Sequence, residues 1–115
     1  MSTTLANVGA AITTALGILG ALAPRAVGEA IGVRAVGALG VSELRATYGG
    51  FFAALGAGCL WTQSRLAFAL VGAAWGGAAL ARLGSLAVDR SRSAKNLGGV
   101  LFEASVGGLL LSAMV

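Results

Sequence analysis

Four apolar segments stand out along the chain, each close to the ~20 residues that an α-helix needs to cross a hydrocarbon core of about 30 Å. The first covers about 5–23 and is stopped by Pro24. The second covers about 42–62, with Ser42 placed to N-cap it and the polar Gln63-Ser64-Arg65 ending it. The third covers about 66–88. The basic loop Asp89-Arg90-Ser91-Arg92-Ser93-Ala94-Lys95-Asn96 follows, and the fourth segment covers about 97–115. The connection from Pro24 to Val41 is longer than a hairpin needs, and it sets Arg25, Glu29 and Arg34 among Ala, Val, Ile and Gly. That mixture predicts a short helix lying in the membrane interface. The expected fold class is all-α: one integral membrane bundle of four transmembrane helices, with a short interfacial segment between helices 1 and 2.

Loop lengths orient the segments. The second and third are separated by only two or three residues and must run antiparallel. The first and third connections then share one side of the membrane. They carry Arg25, Arg34, Arg90, Arg92 and Lys95, whereas the other side has only Arg65 and the terminal amine. The positive-inside rule puts both basic connections in the cytoplasm and both termini on the outer side.

Composition agrees with lipid as the solvent. Of the 115 residues 57% are hydrophobic and only 10% are charged, against about 25% charged in an ordinary soluble domain. Eight Lys and Arg and four Asp and Glu cannot cover the surface of a soluble domain of this length. The net charge of +4 comes from basic residues scattered among apolar segments, which form no cationic face for nucleic acid. There is one cysteine, Cys59, and no histidine, so disulfide scaffolds, His-based metal sites and Ser-His or Cys-His nucleophile pairs are excluded. Ala21-Leu22-Ala23 has the small-x-small look of a signal-peptide cleavage site, but no Lys or Arg precedes the apolar run and Pro24 follows it. The segment is expected to be retained as a helix.

Nineteen glycines are too many to be accidental in a helical chain, since each costs about 1 kcal/mol against Ala in a soluble helix interior. In a membrane they let backbones approach. Gly50, Ala54 and Gly58 form a small-residue stripe, Gly72 and Gly76 a GxxxG, and Gly77, Ala81 and Ser85 a further stripe. Segments two and three are expected to pack closely on each other. Trp61 reads as an interface anchor, Trp75 as a core residue and Cys59 as a small packing residue.

Charges within the spans are the informative ones, because each costs roughly 2.5–3.5 kcal/mol at a helix centre even on the insertion scale. Glu43, Arg45, Arg82 and Glu103 lie within the spans and Asp89 at the rim. All fall in the cytoplasmic half at depths that long side chains can bring together, and Arg82 with Glu103 is the expected pair. The Tyr48 hydroxyl is placed to donate to a buried carboxylate. The group Glu43, Arg45, Tyr48, Arg82, Asp89 and Glu103 reads either as structural polar glue with snorkelling arginines, or as a binding or proton-handling site open to the cytoplasm. No catalytic residue, metal ligand set or cofactor is indicated.

The stretch Glu43-Leu44-Arg45-Ala46-Thr47-Tyr48-Gly49-Gly50 followed by Gly56, then Arg82-Leu83-Gly84-Ser85 leading to Asp89 and later Glu103, resembles a small bacterial four-helix membrane family known only as a domain of unknown function. The resemblance covers nearly the whole chain. In that family pattern a glycine precedes the third-helix arginine and another follows the aspartate; here Ala81 and Arg90 stand there. The resemblance implies four helices in a bacterial inner membrane and no particular activity. The expected role is a non-enzymatic accessory or assembly component, in contact with the bilayer and with a larger membrane complex or further copies of itself. The alternative is a carrier or binding protein for a small molecule, ion or proton.

Overall fold

The computed structural model describes residues 2–115, which are helical nearly throughout. The elements are α1 (Thr4–Leu22), α2 (Pro24–Ile31), α3 (Gly37–Arg45), a π-helical stretch (Ala46–Phe51), α4 (Phe52–Thr62), α5 (Arg65–Val88), α6 (Ala94–Leu111) and a closing 3-10 turn (Ser112–Met114). Three helices are long and apolar enough to cross a membrane: Thr4–Leu22, Arg65–Val88 and the continuous Ala94–Met114. The chain divides into two compact units, one formed by Ala10–Trp61 and the other by residues up to Gly9 together with Thr62–Val115.

Side-chain size sorts the residues. The buried positions of α1 are Ala6, Gly9, Ala10, Thr13, Gly17 and Gly20, all small, while Leu5, Val8, Ile18, Leu19 and Leu22 are exposed. Only 33%, 28% and 22% of the three apolar windows are buried. A chain folding in water hides its large apolar side chains first, and this one turns them outward.

In the Ala10–Trp61 unit, α1 runs antiparallel to the helical stretch from Gly37 to Thr62, which is unbroken but changes from α to π and back. The pairing is read from its glycines. A β-carbon at Gly17 would collide with the Ala53 backbone, one at Gly20 with the Tyr48 carbonyl, and one at Gly56 with Thr14. At Gly49 it would lie 2.6 Å from the Ala21 nitrogen. Position numbers rise on α1 as they fall on its partner. Between them, α2 starts with Pro24 at its first turn, where the missing N–H costs nothing. It ends in a Schellman motif: Gly32 is left-handed at φ 82°, its N–H donates to the Glu29 carbonyl at 3.3 Å, and the Val33 N–H donates to the Gly28 carbonyl at 2.7 Å.

In the other unit, α5 and α6 form an antiparallel hairpin. A β-carbon at Gly72 would meet Leu111 Cγ at 2.9 Å and the Gly107 carbonyl oxygen at 3.1 Å, and one at Gly107 would meet the Gly72 carbonyl oxygen at 3.0 Å. Trp75 is buried and its ring meets Phe102 edge-on at 6.0 Å. Ser64 and Ser93 cap α5 and α6, accepting from the Ala67 N–H at 3.3 Å and the Asn96 N–H at 3.1 Å. The start of α1 joins this unit. Gly9 faces Leu109 and Leu110, and Gln63, left-handed at φ 50°, donates to Asn7 at 2.7 Å and accepts from Thr3 at 3.4 Å.

Several expectations need correction. The second helix does not begin at Ser42 but at Gly37, with Val36 as an extended N-cap that offers no side-chain bond. The fourth apolar segment becomes helical at Ala94, three residues before the expected start, because Ser93 caps it. The Gly50-Ala54-Gly58 stripe is not a close contact, since a β-carbon at Gly50 or Gly58 would meet nothing, as at Gly76. The small face in use is the adjacent one, Gly49, Ala53 and Gly56, and it lies on α1. Two small stripes border each other on this helix, and the small residues of α1 select one.

This predicts a sharp contrast among glycines. Gly17→Ala and Gly20→Ala should each lower stability in detergent by about 1–3 kcal/mol, as overpacked sites do. Gly50→Ala and Gly58→Ala should stay within about 0.5 kcal/mol. Thermal unfolding of the purified variants separates the two sets.

Candidate functional site

The polar residues gather in two places, one in each unit. On the α5–α6 hairpin, Arg82 emerges from the last third of α5 opposite the first turns of α6. Its Nε donates to Glu103 Oε1 at 2.7 Å, its Nη2 to Glu103 Oε2 at 3.0 Å, and its Nη1 to Asn96 Oδ1 at 2.9 Å. The fork is bidentate, the strongest geometry an arginine and a carboxylate can adopt. Asn96 is itself buried and passes the connection on, its Nδ2 donating to the Ser91 carbonyl at 2.7 Å. Gly99 permits this arrangement, because a β-carbon there would lie 2.9 Å from the Arg82 guanidinium.

Asp89 stands apart from that pair. It is exposed at the end of α5 and accepts from the Ser85 hydroxyl at 2.6 Å. The turn beyond it is built from Arg90, left-handed at φ 55°, and from Arg92, whose Nε donates to the Leu86 carbonyl at 3.1 Å. Here the arginines close a helix end.

The other unit holds Glu43, Arg45 and Tyr48. Arg45 donates from Nη1 to the Ala21 carbonyl, so it ties the last turn of α1 to α3. Tyr48 lies in the π-helical stretch with its ring edge-on to Phe52 at 5.8 Å. Among the described residues the expected bond from its hydroxyl to a buried carboxylate is not formed; Glu29 and Glu43, the two acids of its own unit, are both exposed. Glu43, Thr47 and Tyr48 instead line an open cleft of about 430 Å³ with Val33, Arg34, Ala35, Val36, Gly40 and Leu44. Two close contacts hold the 33–36 segment, one to α2 and one to α3: a β-carbon at Gly28 would lie 2.5 Å from the Val33 carbonyl oxygen, and one at Gly40 3.1 Å from Ala35 Cα. The π-helical stretch covers the Ala46-Thr47-Tyr48-Gly49-Gly50 part of the sequence motif, and such stretches frequently mark functional sites.

Two participants were not singled out from the sequence. Asn96 sat in what reads as a loop; its signal is the capping serine three residues before it. Arg34 sat in the connector, and only the fold brings it to Glu43. Among the described residues no group of three or more His, Cys, Asp or Glu could hold a metal ion.

Two glycine-packed helical hairpins, one with an internal ion pair and one with a charged cleft, define a small all-α protein. The chain belongs to the family described as Domain of unknown function (DUF4345), whose model matches residues 2–114. No curated protein and no solved structure matches it.

The ion pair makes a quantitative prediction. Arg82→Ala leaves Glu103, 11% exposed at its side chain, without its cation, and should cost about 3 kcal/mol, the low end for a broken buried pair because Arg82 is itself a third exposed. Arg82→Ala combined with Glu103→Ala should cost about 1–3 kcal/mol less than the sum of the two single changes. Equilibrium unfolding in detergent across this cycle measures the difference.

Proposed function

We propose that this protein is a four-span, non-enzymatic component of a bacterial inner membrane that acts as an accessory or assembly subunit of a larger membrane complex. The observation that carries the reading is the α5–α6 hairpin. Its charges are spent on each other: both oxygens of Glu103 accept from Arg82, and the remaining amide of Asn96 reaches Ser91. A network so satisfied holds two helices in register and leaves neither Glu103 oxygen free for proton transfer.

Chain return supports four spans rather than three. Thr3 and Asn7 bond Gln63, so residues on either side of the Ala10–Trp61 unit meet at one level. If α1 crosses the bilayer, the stretch from Gly37 to Thr62 must cross back, and it is longer than the 24-residue α5. The π-helical turn within it is tolerated because its backbone bonds stay internal. The basic residues Arg25, Arg34, Arg90, Arg92 and Lys95 then share the cytoplasmic side. Large lipid-facing side chains such as Leu70, Leu80 and Leu101, each at least 63% exposed, supply faces for a partner.

A second reading, a binding protein for a small molecule or ion, is favoured by the cleft at Glu43, since an exposed carboxylate, a guanidinium and two hydroxyl-bearing side chains line one opening.

Single cysteines introduced in a Cys59→Ala background test the topology: positions 63 and 3 should label from outside, and positions 34 and 92 only from the cytoplasm. Labelling of 34 and 63 from the same side would remove the fourth span. Purification of the tagged protein from its native membrane in mild detergent tests the role. Stoichiometric recovery with a larger complex is expected, and recovery of the free protein alone would overturn the accessory reading.

A further inference from the structure

The cleft of the Ala10–Trp61 unit carries two opposite charges that do not neutralise each other. Glu43 rises from α3 and Arg34 from the segment held against it, and both are exposed. Among the described residues neither side chain is engaged in an ion pair or hydrogen bond, whereas Arg45, close by in sequence, is engaged with Ala21. Thr47 follows Glu43 by one helical turn on the same face, and the Tyr48 hydroxyl joins them at the lining. All are hydrogen-bonding groups suited to an ammonium that carries N–H bonds. The remaining lining, Val33, Ala35, Val36 and Leu44, is apolar. Apolar side chains also continue out of the opening: Val36 is 83% and Leu39 74% exposed.

We infer that this cleft binds the headgroup of a zwitterionic phospholipid bearing a primary ammonium, with the ammonium on Glu43 and Thr47, the phosphate on Arg34, and the acyl chains leaving along Val36 and Leu39. The inference deepens the binding reading above and rests on it, together with the membrane setting. Three features select this ligand. A dipolar headgroup matches a separated cation and anion without leaving either charge unpaired. The connector is amphipathic and lies where headgroups lie if α1 spans. A choline headgroup has no N–H to donate to the carboxylate, and a single tyrosine does not make the aromatic cage that quaternary ammonium groups require. A phosphoglycerol headgroup would leave Glu43 facing net negative charge.

The test uses the whole protein, delipidated in mild detergent and offered equimolar phosphatidylethanolamine, phosphatidylcholine and phosphatidylglycerol of identical acyl chains, with bound lipid read by native mass spectrometry. Phosphatidylethanolamine should be retained about tenfold over the other two, the worth of one charge-assisted hydrogen bond. Glu43→Gln should abolish that preference while leaving the protein monodisperse and helical, since Glu43 is exposed and bonds nothing. Arg34→Gln should weaken all three lipids. Thr47→Val, a second change on the same face, should reduce the preference in part. Equal retention of the ethanolamine and choline lipids, or a preference untouched by Glu43→Gln, would overturn the inference. If free phosphoethanolamine binds as tightly as the lipid and depends on Glu43, the site is one for a soluble molecule: the lipid inference fails and the binding reading stands. If neither binds in a Glu43-dependent way, both fail. Loss of the protein from carbonate-washed membranes would overturn the membrane setting and this inference with it.

Discussion

A β-carbon added at Gly17, Gly20 or Gly56 would run into the backbone or side chain of the facing helix, and at Gly72 and Gly107 of the other hairpin it would lie 3.1 and 3.0 Å from the facing carbonyl oxygen. Everything else in the molecule depends on that proximity. Glycine weakens a helix in water by about 1 kcal/mol relative to alanine, so a chain rich in it holds its helices only where close contact returns more than the loss. In hydrocarbon there is no apolar driving force between helices, and dispersion across a short interhelical distance becomes the main attraction. The outward display of Leu5, Ile18, Leu66, Leu80 and Leu101 follows from the same constraint. Side chains of that size would hold the backbones apart, so they are left to the surroundings.

Polar groups are held to the places where that packing leaves room. Gly99 opens the space into which the Arg82 guanidinium fits, and a β-carbon there would press on the fork that reaches Glu103 at 2.7 and 3.0 Å. The desolvation cost of a charged pair is met only with good geometry and additional hydrogen bonds, and Asn96 provides one of them. Arg45 has a comparable relation to α1: its guanidinium reaches the Ala21 carbonyl near the end of a helix that Pro24 prevents from continuing. Both arginines therefore serve contacts between antiparallel helices, one through a carboxylate and one through a backbone carbonyl.

Most helix ends were legible in the sequence to within a few residues because apolar length is a strong signal and Pro24 marks an end that its ring fixes, whereas the caps Ser64 and Ser93 went unread inside polar stretches. The pairing of Arg82 with Glu103 was legible from depth alone, since 1.5 Å per residue is enough to compare positions on two helices whose ends are known. The start of α3 was not, because Gly37-Ala38-Leu39-Gly40 carries two glycines and no capping side chain. Nor was the π-helical stretch, where a changed hydrogen-bond register over Ala46–Phe51 leaves no trace in a pattern of apolar and small residues. That stretch carries Gly49, one residue from the stripe that spacing favoured. The cleft was hidden for another reason: Arg34 and Glu43 belong to segments whose approach depends on a left-handed Gly32 and on the absent β-carbon of Gly28.

The two hairpins treat their charges in opposite ways, and that difference separates structural from functional readings better than the charges themselves do. An acid with both oxygens occupied by a guanidinium can offer nothing to a third group unless the pair opens, and opening it exposes the full desolvation cost of each ion. An acid that bonds nothing in the folded chain costs almost nothing to engage, and its replacement removes no contact on which the fold relies. Glu103 is in the first position and Glu43 in the second. In a chain with only four acidic residues, one of them lines an open cleft with an arginine that bonds nothing among the described residues, on the helical stretch that also carries the π-helical turn. An exposed pair would add only about 0–1 kcal/mol to the fold, so the arrangement leaves two charges that a ligand can engage without breaking a contact.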